Sequence, residues 1–154
     1  MKAVIAVDPG KKTGLALFTF EKGIDPVLIR AAEVDQMAMA GEIDAMFAEA
    51  RQLNCSIDVV YERFVINAQT VRNSQAPYSI EQIGIVKYVC NVSGIPEENI
   101  YIQNPADAKK MFSNVAIRNL GYWHKGGEGH ALDAIRHGLL RCVKIGWSPK
   151  RLFQ

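Results

Sequence analysis

The stretch from residue 2 to residue 7 is a continuous apolar run rich in β-branched residues, and it stops at Asp8-Pro9-Gly10. A half-exposed strand alternates polar and apolar side chains, so an unbroken run of this kind reads as a strand covered on both faces. Pro9-Gly10 then forces a turn. Leu15 to Phe20 forms a second strand, and after the turn from Glu21 to Pro26 a third runs from about Val27 to Val34. Three sequential strands joined by short turns predict an antiparallel meander.

Gln36 to about Leu53 is rich in helix formers, and Met39, Ile43, Met46, Phe47, Ala50 and Leu53 recur at spacings of three and four, marking one buried helix face. Ile57 to Tyr61 is a further buried strand ending at Glu62, and Asn99 to Gln103 reads as another. Between them lie a polar loop, Asn67 to Pro77, and a helix from about Ser79 to Val92. That helix is apolar nearly all round, as expected of one shared by two subunits or buried between the sheet and another helix of its own chain. Pro105 to Phe112 reads as a short helix with Pro near its start, and Gly126-Gly127-Glu128-Gly129 breaks the chain before a last helix, His130 to about Ile145. The order is strand, strand, strand, helix, strand, helix, strand, helix, helix, an α/β chain with a mixed sheet flanked by helices.

With 154 residues, 49% of them hydrophobic, the chain reads as a single domain, 1–154, with its own core and no interdomain linker. No apolar run is long enough for a secretory signal or a membrane span. Three widely spaced cysteines, Cys55, Cys90 and Cys142, suit buried thiols in a reducing cytoplasm better than a disulfide framework or a zinc site. Net charge is only +2, but from Lys109 to Arg151 nine basic residues face two acids, Glu128 and Asp133. A solvated basic face and a track for nucleic acid both account for that excess.

Two acids end buried strands, Asp8 and Glu62, so both can point into one crevice at the strand ends, where ligands of open α/β sheets collect. Taken singly, each also reads as a turn or helix cap. His130 and Asp133, three apart at the start of the last helix, share a face and can converge on one point, although the helix dipole alone would favour Asp133 there. Three carboxylates and an imidazole without a cysteine suit Mg2+ or Mn2+. Two such ions about 4 Å apart can activate water on one side of a phosphodiester and stabilise the leaving oxygen on the other. Asp8 would then bridge the metals, with Glu62, His130 and Asp133 completing their shells. The segment Asp8 to Gly14 is not a P-loop, because Ile5 stands where the first glycine belongs. It is similar to the phosphate hairpin of actin-type ATPases, which need two such domains.

Val7-Asp8-Pro9-Gly10 with Thr13-Gly14-Leu15-Ala16, Val60-Tyr61-Glu62-Arg63-Phe64, Asn104-Pro105 with Lys109-Lys110, and Gly129-His130-Ala131-Leu132-Asp133-Ala134, in this order and spacing, resemble the RuvC-type Holliday junction resolvases of the RNase H-like superfamily, most of all their compact bacteriophage-encoded members. The resemblance implies an RNase H-like fold with a five-stranded sheet, three antiparallel strands and then two parallel. It also implies a homodimer, built through the helix around 79–92, that nicks opposed strands of a four-way junction with Mg2+ or Mn2+. The active-site acids carry over onto Asp8, Glu62 and Asp133, with His130 where many relatives have a further Asp. The stretch Ile66 to Tyr78 departs from the bacterial enzymes in a region that faces the junction. Arg72, Lys109, Lys110, Arg118 and Lys125 are candidate phosphate contacts, and Tyr122-Trp123-His124 a candidate stacking platform for an unpaired base. The rival readings are an RNA-processing nuclease of the YqgF type and a non-catalytic binder of branched DNA.

Overall fold

The computed structural model describes residues 1–65 and 76–149. One sheet holds β1 (Lys2–Asp8), β2 (Lys12–Phe20), β3 (Val27–Asp35), β4 (Ser56–Glu62) and β5 (Ile100–Gln103), in the spatial order β3-β2-β1-β4-β5. β1, β2 and β3 pair antiparallel, while β4 runs parallel to β1 and β5 parallel to β4. The expected mixed sheet is therefore present, three antiparallel strands followed by two parallel ones. The helices are α1 (Gln36–Gln52), α2 (Ala76–Val92), α3 (Pro105–Met111), α4 (Asn114–Leu120) and α5 (His130–Lys144).

Side chains alternate across a strand, so the unbroken apolar run of β1 must feed two cores. Ala3, Ile5 and Val7 pack with Leu15, Leu17, Val59 and Tyr61 under α1 and α2. Val4 and Ala6 pack with Ala16, Phe18 and Val60 under α5, together with Phe112 of the α3–α4 junction and Ile117 of α4. The same parity continues to the strand ends. Asp8 follows Val4 and Ala6, Glu62 follows Asp58 and Val60, and Gln103 follows Tyr101, so all three fall on the α5 side of the sheet.

Several boundaries differ from the sequence reading for identifiable reasons. β2 starts at Lys12 rather than Leu15, because Thr13 is buried, with its hydroxyl donating to the Gly10 carbonyl at 3.2 Å, and Gly14 pairs with Asp8 across the ladder. α2 begins at Ala76, taking Pro77 into its first turn, where a proline's missing N–H costs nothing. α4 was missed, although Ser113 caps it by accepting from the Ala116 N–H at 3.2 Å and Gly121 ends it with φ +83. Leu53 lies beyond the end of α1 and is exposed, while Met39, Ile43, Met46, Phe47 and Ala50 are buried as expected. Val86, Val89 and Cys90 of α2 are buried within the chain, but Ile80, Tyr88 and Val92 on its other side are more than half exposed.

Cys90 and Cys142 are buried free thiols whose pKa values burial pushes up to about 11 and about 12, and Cys55 is half-buried. Among the described residues no helix is long and apolar enough to cross a membrane.

α5 lies close on the sheet because Gly138 has no side chain: a Cβ there would stand 2.6 Å from the ring of Phe18, itself fully buried. Gly138→Ala is expected to lower stability by about 1 to 3 kcal/mol, the usual cost of overpacking a filled core, as measured by urea denaturation. Unchanged stability would show that α5 can lift without penalty.

Candidate active site

The three parallel strands end side by side. Tyr61 is paired with Val7 and Glu62 with Gln103, so Asp8, Glu62 and Gln103 form a row across the carboxyl ends of β1, β4 and β5. Facing them, α5 presents His130, Asp133 and His137, spaced as i, i+3 and i+7 and therefore on one helix face. The two rows interlock. His130 Nδ1 stands 2.8 Å from Asp8 Oδ2, and His137 Nε2 stands 2.8 Å from Glu62 Oε2, while His137 Nδ1 is 2.8 Å from Gln103 Oε1. Asp133 is held by Arg136, one turn on, and by Lys109 Nζ at 3.1 Å. Arg136 is itself fixed by its contacts with the Phe112 carbonyl, at 2.9 Å, and with Asn114.

Each acid thus faces a nitrogen cation or imidazole, yet the balance remains strained at Asp8. Burial raises its pKa; the hydrogen bond to His130 pulls it down, and the nearby charges of Glu62 and Asp133 push it up again, with a net upward shift. His130 is shifted upward as well, chiefly by its hydrogen bond to Asp8, against the opposing effect of its own burial. Beside this row a groove of about 420 Å³ opens over the start of α5, lined by Lys109, Ser113, Asn114, His130, Asp133 and Arg136 among others.

Hard carboxylate oxygens with one imidazole are a donor set for Mg2+ or Mn2+, and the residual repulsion around Asp8 is what a divalent cation would relieve. In this arrangement no three His, Cys, Asp or Glu side chains among the described residues stand together as a ready-made metal cage, because each carboxylate is turned onto its own protein partner. The donor chemistry fits the ions, and a carboxylate keeps acceptor sites that a single protein partner does not fill.

Two features fix α5 against the strand ends. Gly14, opposite Asp8 in the β1–β2 ladder, lies so close to the first turn of α5 that a Cβ would fall 1.9 Å from the His130 carbonyl oxygen. Glu33 of β3 reaches under the glycine-rich loop. Its carboxylate accepts the backbone N–H of Glu128 at 2.8 Å and of His130 at 3.0 Å, capping a helix whose own cap position, Gly129, has no side chain to offer.

No family model matches the chain, and no curated protein sequence does. Solved structures do. Thermus thermophilus RuvC in complex with a Holliday junction substrate matches with a TM-score of 0.67 at 20% identity, over 95% of this chain and 97% of that one. The chain has the RuvC fold. A second structure of Thermus thermophilus RuvC matches with a TM-score of 0.64, also at 20% identity, over 89% of this chain and 91% of the other. The RNase H-like architecture expected from the sequence is thereby established, and at this identity the likeness is one of fold.

Within this fold, Asp8, Glu62, His130 and Asp133 come to one end of the sheet. Of the candidate phosphate contacts, Lys109 borders the groove and pairs with Asp133, Lys110 and Lys125 are exposed, and Arg72 lies outside the described residues. Arg118 is exposed, with its guanidinium 3.9 Å from the centre of the Trp123 ring. Of the candidate stacking residues, Tyr122 is taken up by packing. Tyr122 packs edge-on against Phe18 and Trp147 and donates its hydroxyl to the Pro26 carbonyl at 2.5 Å, so its ring belongs to the core, and Arg118 covers a face of Trp123.

Glu33, Gln103, Arg136 and His137 were missed. His137 carried a signal, since it falls two helical turns beyond His130 on the same face, and so did Arg136, three residues after Asp133; Glu33 and Gln103 depend on pairings between distant segments.

Burial would raise the pKa of Glu33, but the hydrogen bonds from Glu128 and His130 outweigh it and hold the carboxyl below its ordinary value. Its contribution is therefore complete above the unfolded carboxylate range and lost as pH falls through the folded value. Glu33→Gln is expected to cost about 1 kcal/mol at neutral pH, and the two proteins should converge in stability only in acid, as followed by urea denaturation across pH. A gap unchanged in acid would overturn the capping role.

Proposed function

We propose that the chain, as a single nuclease domain, is a divalent-metal-dependent endonuclease that cuts Holliday junctions and related branched DNA, acting in recombination or debranching. The observation that carries this reading is the convergence of three acids and an imidazole from β1, β4 and α5 at one end of a sheet with the RuvC fold. That the Thermus protein was solved with a Holliday junction substrate supports the choice of DNA class.

Asp8, Glu62, His130 and Asp133 would hold two Mg2+ or Mn2+ ions. The chemistry such ions supply is a more acidic attacking water and a stabilised leaving oxygen. The protein's own contributions follow from its side chains. Asp8 is almost fully buried at the foot of the site, so its charge is poorly screened and strongly felt. His130 keeps that carboxylate oriented through Nδ1. Lys109, more than half exposed beside the groove, is positioned to meet a phosphate, and Lys110 and Lys125 extend the basic surface. Arg72 and Arg118 remain candidate phosphate contacts on charge alone. The compartment this reading implies is the cytoplasm.

The dimer belongs to the same reading. Ile80, Gly84, Tyr88 and Val92 follow one another along the exposed side of α2 at four-residue steps. A Cβ on Gly84 would meet nothing within 4 Å, which leaves room there for close approach of a second copy. Tyr88→Asp is expected to turn a dimer into a monomer in analytical ultracentrifugation without loss of helical signal; a variant that sediments as the parent would remove α2 from the interface.

Function is tested with labelled four-way, three-way, flap and linear duplexes. In Mn2+ the parent protein is expected to nick branched substrates ahead of linear ones, and Asp8→Asn to cut at least about 100-fold more slowly while still binding them. Binding without cutting by the parent, with or without Mn2+, would instead mark a non-catalytic binder, and preference for RNA would favour the processing nuclease.

A further inference from the structure

Between α5 and the ends of β4 and β5 lies a buried polar pair. His137 is 1% exposed and Gln103 is 2% exposed. The imidazole bridges Gln103 Oε1 and Glu62 Oε2, at 2.8 Å to each. Gln103 Nε2 is buried and finds no hydrogen-bond partner among the described residues. We propose that Gln103 and His137 are positioning residues that fix the Glu62 carboxylate for a divalent cation, an inference that rests on the reading of Glu62 as a metal ligand.

The geometry determines what each group does. A histidine nitrogen facing a carboxylate oxygen is useful only if it carries a hydrogen, so the ring must present Nε2–H to Glu62. Gln103 can support this in either orientation of its amide. With its oxygen toward Nδ1 both ring nitrogens donate; with the amide turned, its otherwise unpartnered Nε2 donates to Nδ1 and a neutral ring keeps its hydrogen on Nε2. Glutamate has three side-chain torsions and would sample many rotamers at a strand end, and the donor from below removes that freedom. His137 takes one carboxylate oxygen, Oε2, and a carboxylate has more acceptor sites than one donor can fill. The buried face of Glu62 is thereby anchored while capacity for a cation remains.

Packing gives no reason for this pair. Two polar side chains sealed between α5 and the sheet must surrender water, and an apolar pair of similar volume would serve stability as well or better. What the polar pair supplies is direction for Glu62, the strand-end acid held by neither His130, Arg136 nor Lys109.

The test compares His137→Phe, Gln103→Leu, their double variant and Glu62→Ala, reading Mn2+ binding by electron paramagnetic resonance without DNA, thermal stability, and nicking. His137→Phe is expected to weaken Mn2+ binding about 10- to 100-fold, the usual effect of removing a group that orients a metal ligand, and to have no further effect in the Glu62→Ala background. The double variant leaves neither member of the pair buried without its partner. It should therefore recover stability while the loss of Mn2+ affinity persists, and it carries the comparison if His137→Phe alone fails to fold. His137→Gln, which keeps a donor opposite Glu62, should recover part of the affinity. A stable double variant that binds Mn2+ as tightly as the parent, while Glu62→Ala does not, overturns the positioning role alone. If Glu62→Ala itself leaves Mn2+ binding unchanged, the ligand reading of Glu62 falls and the positioning role falls with it.

Discussion

A carboxylate at the end of a strand covered on both faces is nearly cut off from water, and something must balance it. In this chain that something is α5. Asp8 is buried at the end of β1, and the imidazole that meets it comes from the first residue of the helix. The contact fixes both the sheet and the helix, because α5 can satisfy Asp8 only if its first turn lies against the β1–β2 hairpin. Gly14 allows that approach, and Glu33 secures the loop that leads into it.

The same helix then deals with the remaining acids by its own periodicity. His130, Asp133 and His137 lie along one face, so a single element supplies a partner for Asp8, a third carboxylate and a partner for Glu62. Farther along, Arg141 donates from Nε and Nη2 to the fully buried Asp58 of β4, at 3.0 and 2.7 Å, while Lys2 approaches the other oxygen of Asp58 at 2.7 Å. α5 is thus lined with nitrogen donors where the sheet beneath it carries acids. Its basic character, which in the sequence reads equally as a nucleic-acid track, is partly spent inward.

That division explains which features were legible beforehand. Their place at the ends of buried strands put Asp8 and Glu62 at one crevice, and the three-residue spacing of His130 and Asp133 put them on one side of a helix; both follow from local pattern. The α/β class followed from the sequence of elements, and the five-stranded mixed sheet from the resemblance. What stayed hidden depends on pairing across long separations. Glu33 becomes a helix cap only because β3 runs beside the hairpin that α5 touches, and Gln103 becomes a partner of His137 only because β5 adds next to β4. The core position of Tyr122 was hidden for the same reason. An aromatic beside Trp123 and His124 suggests a surface platform, and only the fold reveals Phe18, Trp147 and the Pro26 carbonyl around it.

The low identity with Thermus RuvC is consistent with so close a match in fold, because the constraints that position the site are few and mostly concern shape. Strand parity asks only that residues be apolar on both sides until the last. Gly14 and Gly138 ask only that nothing project where α5 meets the sheet. Many apolar side chains satisfy the two cores interchangeably, provided volume is kept. Divergence can therefore run through most positions while the ends of β1, β4 and β5 and the first two turns of α5 keep their relation. It is that relation, more than any extended stretch of sequence, that brings acids distant in the chain within reach of one another.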